Sequence, residues 1–377
     1  MHSDKIASTK AVETLRKCST KNGFYASGGK DGYNSVWARD SAVGIIGALF
    51  APKNEFKSTI RATLDTLAKH QSKKGQIPNC VDLFSKRKKQ VTFATIDSSL
   101  WFVIMAKAAE KIYGKEFGKK YYSAIKKAMV WVDYQDAGED GLPEQQPTSD
   151  WQDCFPHKYG HVLSTQALYY AALNLTGEKQ KAEGVKARLN GKYGKDLCMF
   201  DSKLGYYLPW IWKNHDGERE TEQWFDSLGN FLAITTGLAE KKHAEKILAF
   251  AEKNKIANPF PVRVIYPPIK KGSPEWKPYF EKCLASKPNM YINGGIWPFV
   301  GAFYVSALAK QKKFAEAEKA LELLSGANKL GAKKEWEFNE WINPITKKAS
   351  GSAYHAWSAG GYLFAEMSAE KKKVPFF

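Results

Sequence analysis

The stretch SAVGIIGALF, residues 41–50, decides the fold. It carries no charge and has no polar face, so a helix over it is apolar all round and must be buried. Two later stretches read the same way, FVGAFYVSAL at 299–308 and SAGGYLFA at 358–365. Between such segments lie helices of the opposite kind. FAEAEKALELL, residues 314–324, is rich in Lys and Glu and puts its apolar residues on one stripe. A helix of that type covers a buried one.

Reading outward for apolar residues at i, i+3 and i+4 gives twelve helical segments. They fall at about 4–18, 38–50, 55–71, 96–113, 118–135, 161–176, 178–191, 226–238, 240–254, 297–310, 313–325 and 353–370. Strand signals are weak, with 206–209 and 261–266 the best candidates for extended chain. Buried and amphipathic segments alternate from end to end. Six buried helices inside six amphipathic ones make an all-α fold, an (α/α)6 barrel, and the alternation predicts one domain over residues 1–377.

The six inner helices start alike. Each follows a polar or aromatic cluster: Trp37 with Arg39 and Asp40; Thr95 with Asp97 and Ser98; Asp153 through His161; Trp224 with Asp226; Asn293 with Trp297 and Pro298; and Tyr354 with His355 and Trp357. Parallel inner helices put all six clusters on one rim, where helix N-termini also offer unpaired N–H groups. Asp40, Asp97, Ser98 and Asp226 are also good N-caps, and Pro298 is an ordinary first-turn proline. Capping alone does not call for the accompanying Trp, His and Arg.

Composition narrows the function. Of 377 residues 14% are aromatic, including 12 Trp, and many Trp sit beside Asp, Asn, Glu or Gly. Rings beside polar groups suit sugars, whose C–H faces stack while their hydroxyls bond to carboxylates and amides. The net charge of +18 comes from Lys scattered over amphipathic segments, and its densest run, residues 85–90, is short. This predicts a solvated surface and no nucleic-acid partner. The five cysteines include no CxxC pair, and no HExxH or phosphate loop occurs, so no metal and no cofactor are expected. The first residues lack the apolar core of a signal peptide, and no run is long enough to span a membrane. A cytoplasmic setting follows as the expectation.

Two acidic stretches are candidates for the chemistry. Residues 144–153 hold Glu144, Asp150, Trp151 and Asp153, followed by Phe155, His157, Tyr159 and His161. Aromatic neighbours would desolvate a carboxylate and raise its pKa, as a general acid needs. The second stretch is EWEFNEW at 335–341, with Glu337 and Glu340 between tryptophans.

At these residues the chain resembles the alkaline/neutral invertases, glycoside hydrolases of (α/α)6 fold, from about residue 36 to 368. Arg39-Asp40 is similar to that family's Arg-Asp. IDSSLW at 96–101 resembles its IDSGLW, and Asp153 followed by Tyr159-Gly160 and QALY at 166–169 matches its D-R-R-M-G-x-Y-G…QALF at equal spacing. Trp224-Phe225 with LGN at 228–230, IYPP at 265–268, NGGIWP at 293–298, Glu340-Trp341 and WSAGGYL at 357–363 continue the series. The resemblance implies Asp153 as general acid, Glu340 as general base, sucrose as substrate and no cofactor. Arg39, Asp40, Asp97, Trp101, Trp151, Gln166, Trp224, Asn293, Trp297 and His355 are then the expected sugar-binding residues.

Two departures stand out. The family's two Arg after the acid are Cys154 and Phe155 here, and RDSA at 39–42 with GQIP at 75–78 resembles debranching and glucoamylase-like enzymes instead. Several readings therefore stay open. Glu337 is a rival base, and a debranching-type α-glucosidase rivals the invertase. A sugar epimerase using His161 and His355 and a non-catalytic carbohydrate-binding protein are the readings from other classes.

Overall fold

The computed structural model describes residues 5–30, 32–82, 90–214 and 216–377. The N-terminal residues 1–4 and all of the basic run at 85–90 except Gln90 lie outside them. Thirteen α-helices occur among the described residues: α1 (Lys5–Cys18), α2 (Ala38–Ala48), α3 (Lys57–Lys69), α4 (Asp97–Tyr113), α5 (Lys115–Lys119), α6 (Tyr122–Asp133), α7 (Leu163–Thr176), α8 (Lys179–Leu189), α9 (Ser227–Thr236), α10 (Lys241–Lys253), α11 (Pro298–Lys310), α12 (Phe314–Lys329) and α13 (Ala356–Glu370). All twelve expected segments are present. The thirteenth is the short α5, which lies mostly before the segment expected at 118–135 and is separated from α6 at Lys120–Tyr121. There Tyr121 turns inward, and its hydroxyl bonds Asp65 of α3 at 2.9 Å.

The apolar helices close a ring. Helix α2 packs on α4, α4 on α7, α7 on α9, α9 on α11, α11 on α13, and α13 returns to α2. All eleven residues of α2 and all ten of α9 are buried. The amphipathic helices lie outside: α12 covers α11 and α13, α1 covers α13, α6 covers α4 and α8 covers α7. On α3 the buried residues are Thr59, Ile60, Thr63, Leu64 and Leu67, one helical stripe. This is the (α/α)6 barrel.

Glycine sets the closing seam between first and last inner helices. A Cβ on Gly47 would stand 1.9 Å from the Gly360 carbonyl oxygen, so the two backbones are in contact. Gly44 and Gly360 meet in the same way.

The rim that carries the loops is laced by two-residue strands. Val36–Trp37 pairs with Cys80–Val81 just before α2, His161–Val162 with the Trp210–Lys213 strand before α7, and Phe225–Asp226 with Ile265–Tyr266 before α9. Single bridges join Ile296 to Arg263 and to Ile342, and Ser27 to His355. The weak extended signals at 206–209 and 261–266 thus mark real strand residues. The lacing takes up one N–H at each of four inner helix starts: Ala38 donates to Asn79, Leu163 to Pro209, Ser227 to Val264 and Ala356 to Ala26, all backbone to backbone. No side chain caps any inner helix. Asp40 and Asp97 face Arg39 instead.

No helix among the described residues is long and apolar enough to cross a membrane.

Candidate active site

At the laced rim a narrow cavity of about 60 Å³ opens among side chains from distant parts of the chain. Tyr33, Trp37, Arg39 and Asp40 come from the loop into α2 and its first turn. Trp151 and Asp153 come from the loop before α7, and Tyr291 and Trp297 from the approach to α11. Glu340, His355 and Trp357 come from the approach to α13. Four of the six expected clusters thus meet directly, and both acids singled out from sequence are among them.

Arg39 organises the floor. Its Nη1 bonds Asp97 Oδ2 at 2.9 Å, and both side chains are almost fully buried. Burial works against the cation, but Asp97, Asp40 and Asp153 outweigh it and hold the Arg39 pKa above its ordinary value. Asp97 therefore acts through Arg39 and does not line the cavity itself. Arg39 Nε and Asp97 Oδ1 have no hydrogen-bond partner among the described residues.

The three carboxyls that line the cavity, Asp40, Asp153 and Glu340, are displaced upward. Burial raises Asp153, opposed by Arg39 and assisted by Asp150 and Asp97. Burial pushes Asp40 to about 7 against the pull of Arg39. Burial also pushes Glu340 up to about 7. The Ser352 N–H at 3.2 Å and the Tyr291 hydroxyl at 3.4 Å offset only part of this, and the charges of Asp40 and Asp153 add to it. His355 moves the other way, down to about 3, because burial disfavours the imidazolium.

Aromatic rings wall the space. Trp297 stands edge-on to Trp151 at 5.5 Å and to Trp357 at 5.6 Å, and His355 stacks on Trp357 at 4.9 Å. The indole N–H groups of Trp151 and Trp357 have no acceptor among the described residues. Tyr33 packs against Trp37 and His355.

Four expected sugar-binding residues lie elsewhere. Trp101, one turn along α4 from Asp97, packs on Phe303 inside the barrel, because an inner helix turns that face to the core. Gln166 donates to the Pro143 carbonyl at 2.7 Å and ties down the loop before α7. Trp224 donates to Glu222 at 2.5 Å. Asn293 spends its amide on backbone, accepting from Ile269 N–H at 2.8 Å and donating to Ile269 O at 2.9 Å and Ala285 O at 3.0 Å. Glu337 also turns away, accepting from the N–H groups of Ala332 at 2.8 Å and Lys333 at 3.2 Å. His161 does not reach the cavity either, since its Nε2 faces Asp140 at 3.3 Å.

Sequence reasoning overlooked Tyr33 and Tyr291. Tyr291 stands two residues before the Asn-Gly-Gly turn and was legible as part of that cluster. Tyr33 stands beside Asn34 just after a glycine-rich stretch, away from the clusters at the helix starts.

The comparisons with known proteins place this fold and rim cavity among carbohydrate-acting relatives. Residues 198–372 match the family described as alkaline and neutral invertase, and residues 9–135 match the one described as amylo-alpha-1,6-glucosidase. Alkaline/neutral invertase E, chloroplastic, of Arabidopsis thaliana is 30% identical over 327 residues, covering 73% of this chain and 52% of its own. Neutral/alkaline invertase 1, mitochondrial, of Oryza sativa subsp. japonica is 31% identical over 335 residues, covering 73% and 51%. The chain is a relative of the alkaline and neutral invertases, and it spans about half the length of the curated relatives it matches. Among solved structures, the GH63 mannosylglycerate hydrolase of Thermus thermophilus superposes with a TM-score of 0.71 at 15% identity, over 95% of this chain and 99% of that one. That likeness concerns the fold.

Proposed function

We propose that the chain, as one catalytic unit, is a cytoplasmic glycoside hydrolase that cleaves sucrose or a similar small glucoside with inversion. Asp153 protonates the leaving oxygen, and Glu340 activates a water on the opposite face of the sugar. Inversion asks for carboxyl groups about 6.5–9.5 Å apart, leaving room for that water. Arg39 and Asp40 bond the glycone hydroxyls, and Trp297, Trp151 and Trp357 pack on its C–H faces. The observation that carries this reading is that two acids 187 positions apart in sequence border one aromatic-walled cavity, each with a raised pKa. The cavity's 60 Å³ is small against the roughly 300 Å³ or more of a ligand pocket, so binding must open its mouth. Tyr33, 38% exposed, is the side chain at the mouth best placed to move aside.

A debranching-type α-glucosidase is the second reading, favoured by the match of residues 9–135 to the amylo-alpha-1,6-glucosidase family. One experiment separates them. The protein is incubated with sucrose, trehalose, maltose, isomaltose and short branched dextrins, and the released anomer is followed by NMR. Inverted sugar from sucrose supports the first reading, and from isomaltose or the dextrins the second. Retained anomer rules out the inverting mechanism, and no free sugar from any substrate rules out both readings. A histidine-based epimerase is poorly served, because of its two histidines only His355 borders the cavity and burial keeps it neutral.

A further inference from the structure

Beside the candidate active site lies a much larger groove, of about 770 Å³, that shares no lining residue with it. One segment separates the two. Trp151 and Asp153 face the small cavity, while His157 and Tyr159, a few residues on, face the groove. Phe155 lies between them, its ring 4.5 Å from Phe280, and His157 Nδ1 meets the Tyr279 hydroxyl at 2.9 Å.

The groove's chemistry is that of a sugar site. Its floor is an aromatic platform, Tyr159 lying 4.7 Å from Trp210 with the rings tilted by 32°. Glu222 stands beside the platform and accepts the indole N–H groups of Trp210 at 3.3 Å and Trp224 at 2.5 Å. Its second oxygen is left for a ligand hydroxyl. Burial pushes this carboxyl up to about 7, so near neutrality it can donate as well as accept. Glu220 bonds the Tyr159 hydroxyl, and Glu275 lines the opposite wall. Arg219, whose guanidinium is spent on the Cys198 and Lys195 carbonyls, and Lys277 balance the acids Glu220, Glu222 and Glu275. That balance disfavours phosphate and favours a neutral polyhydroxyl ligand. The volume lies within the roughly 300–1,000 Å³ range of ligand pockets.

We infer that this groove binds the leaving-group sugars of an oligosaccharide. The inference rests on the reading of Asp153 as general acid: the acid stands on the leaving-group side of the scissile bond, and the groove is built on the acid's own loop. A substrate longer than a disaccharide fits the second, debranching-type reading, so the groove weighs toward that one.

The test is calorimetric titration of gluco-oligosaccharides of two to four units into the Asp153→Asn protein, which binds without turnover. The tetrasaccharide is expected to bind at least 5-fold tighter than the disaccharide. Tyr159→Ala and Glu222→Gln should each erase most of that gain, and Tyr159→Phe, which keeps the ring, should retain it. A tetrasaccharide that binds no tighter than the disaccharide, or not at all, overturns the groove. So does a chain-length gain that survives Tyr159→Ala in a protein whose melting curve is unchanged. Turnover assays run alongside judge the other premise separately: undiminished hydrolysis by Asp153→Asn removes the acid role while leaving the binding result standing.

Discussion

Asp40 Oδ1 lies 3.8 Å from His355 Nδ1, at the place where the first and last inner helices of the ring meet. The separation is too long for a hydrogen bond, and neither imidazole nitrogen has a bonding partner among the described residues. Burial holds His355 neutral and pushes Asp40 to about 7, so the pair stays available to a ligand and does not form an ion pair.

Asp40 should tune the acidic limb of the pH profile. Its charge is one of the causes that raise Glu340 to about 7. A base works only when ionised, so activity should fall as pH drops through that value. Asp40→Asn removes a like charge, lets Glu340 ionise more easily, and should move the acidic limb to lower pH. The rate itself should also fall, because Asp40 borders the cavity. A pH–kcat/KM profile for the two proteins checks this, and an unmoved or upward-shifted limb counts against Glu340 as the base.

The two glutamates of the EWEFNEW stretch should separate cleanly. Glu340→Gln should lower kcat by about 10²–10⁴-fold, as should Asp153→Asn. Glu337→Gln should keep most of the rate and cost only about 1 kcal/mol of stability, because the amide oxygen can still accept from the Ala332 and Lys333 N–H groups that the carboxylate serves. Rates and urea midpoints for the three variants decide the matter. A large rate loss with Glu337→Gln would move the base.

Glu340 should also cost stability at alkaline pH. Its folded pKa, about 7, lies above the ordinary 4.5, so the fold favours the protonated form. That contribution is complete below about pH 4.5 and is lost as pH rises through 7. Glu340→Gln mimics the protonated state. It should raise the melting temperature at pH 8, by a free energy on the order of 1–3 kcal/mol, and make little difference at pH 4. Equal effects at both pH values would mean the carboxyl is not desolvated.

The ring was legible because burial on all sides leaves a plain mark: SAVGIIGALF offers water nothing, and α2 is buried throughout. Asp40, Asp153, Glu340 and His355 were legible because acids and histidine beside aromatic rings at helix starts have no simple structural use here, and no side chain caps those helices. Trp101, Gln166 and Asn293 sit in similar company in sequence, yet they turn to core or backbone. Which way a side chain turns depends on partners such as Phe303, Pro143 and Ala285, far away along the chain. The break at Tyr121 has the same origin, since Asp65 lies 56 positions earlier.

Asn293 gives the sharpest test of that distinction. A sugar-binding Asn lost by mutation would raise KM and leave the fold alone. Here the amide oxygen accepts one backbone N–H and the amide nitrogen donates to two carbonyls, all buried. Asn293→Ala leaves those three groups without partners, and at about 1–3 kcal/mol for each unsatisfied buried group some relaxation still leaves a loss of about 2–4 kcal/mol. Asn293→Asp keeps the shape but points a carboxylate at the carbonyls of Ile269 and Ala285. At pH 8 it should melt below the alanine variant, since an unpaired buried charge is worse than a gap. Near pH 4 the protonated acid can donate to one carbonyl again, and the order should reverse. Melting curves of the two variants at both pH values measure this. If both melt like the wild type while KM rises, Asn293 binds substrate after all.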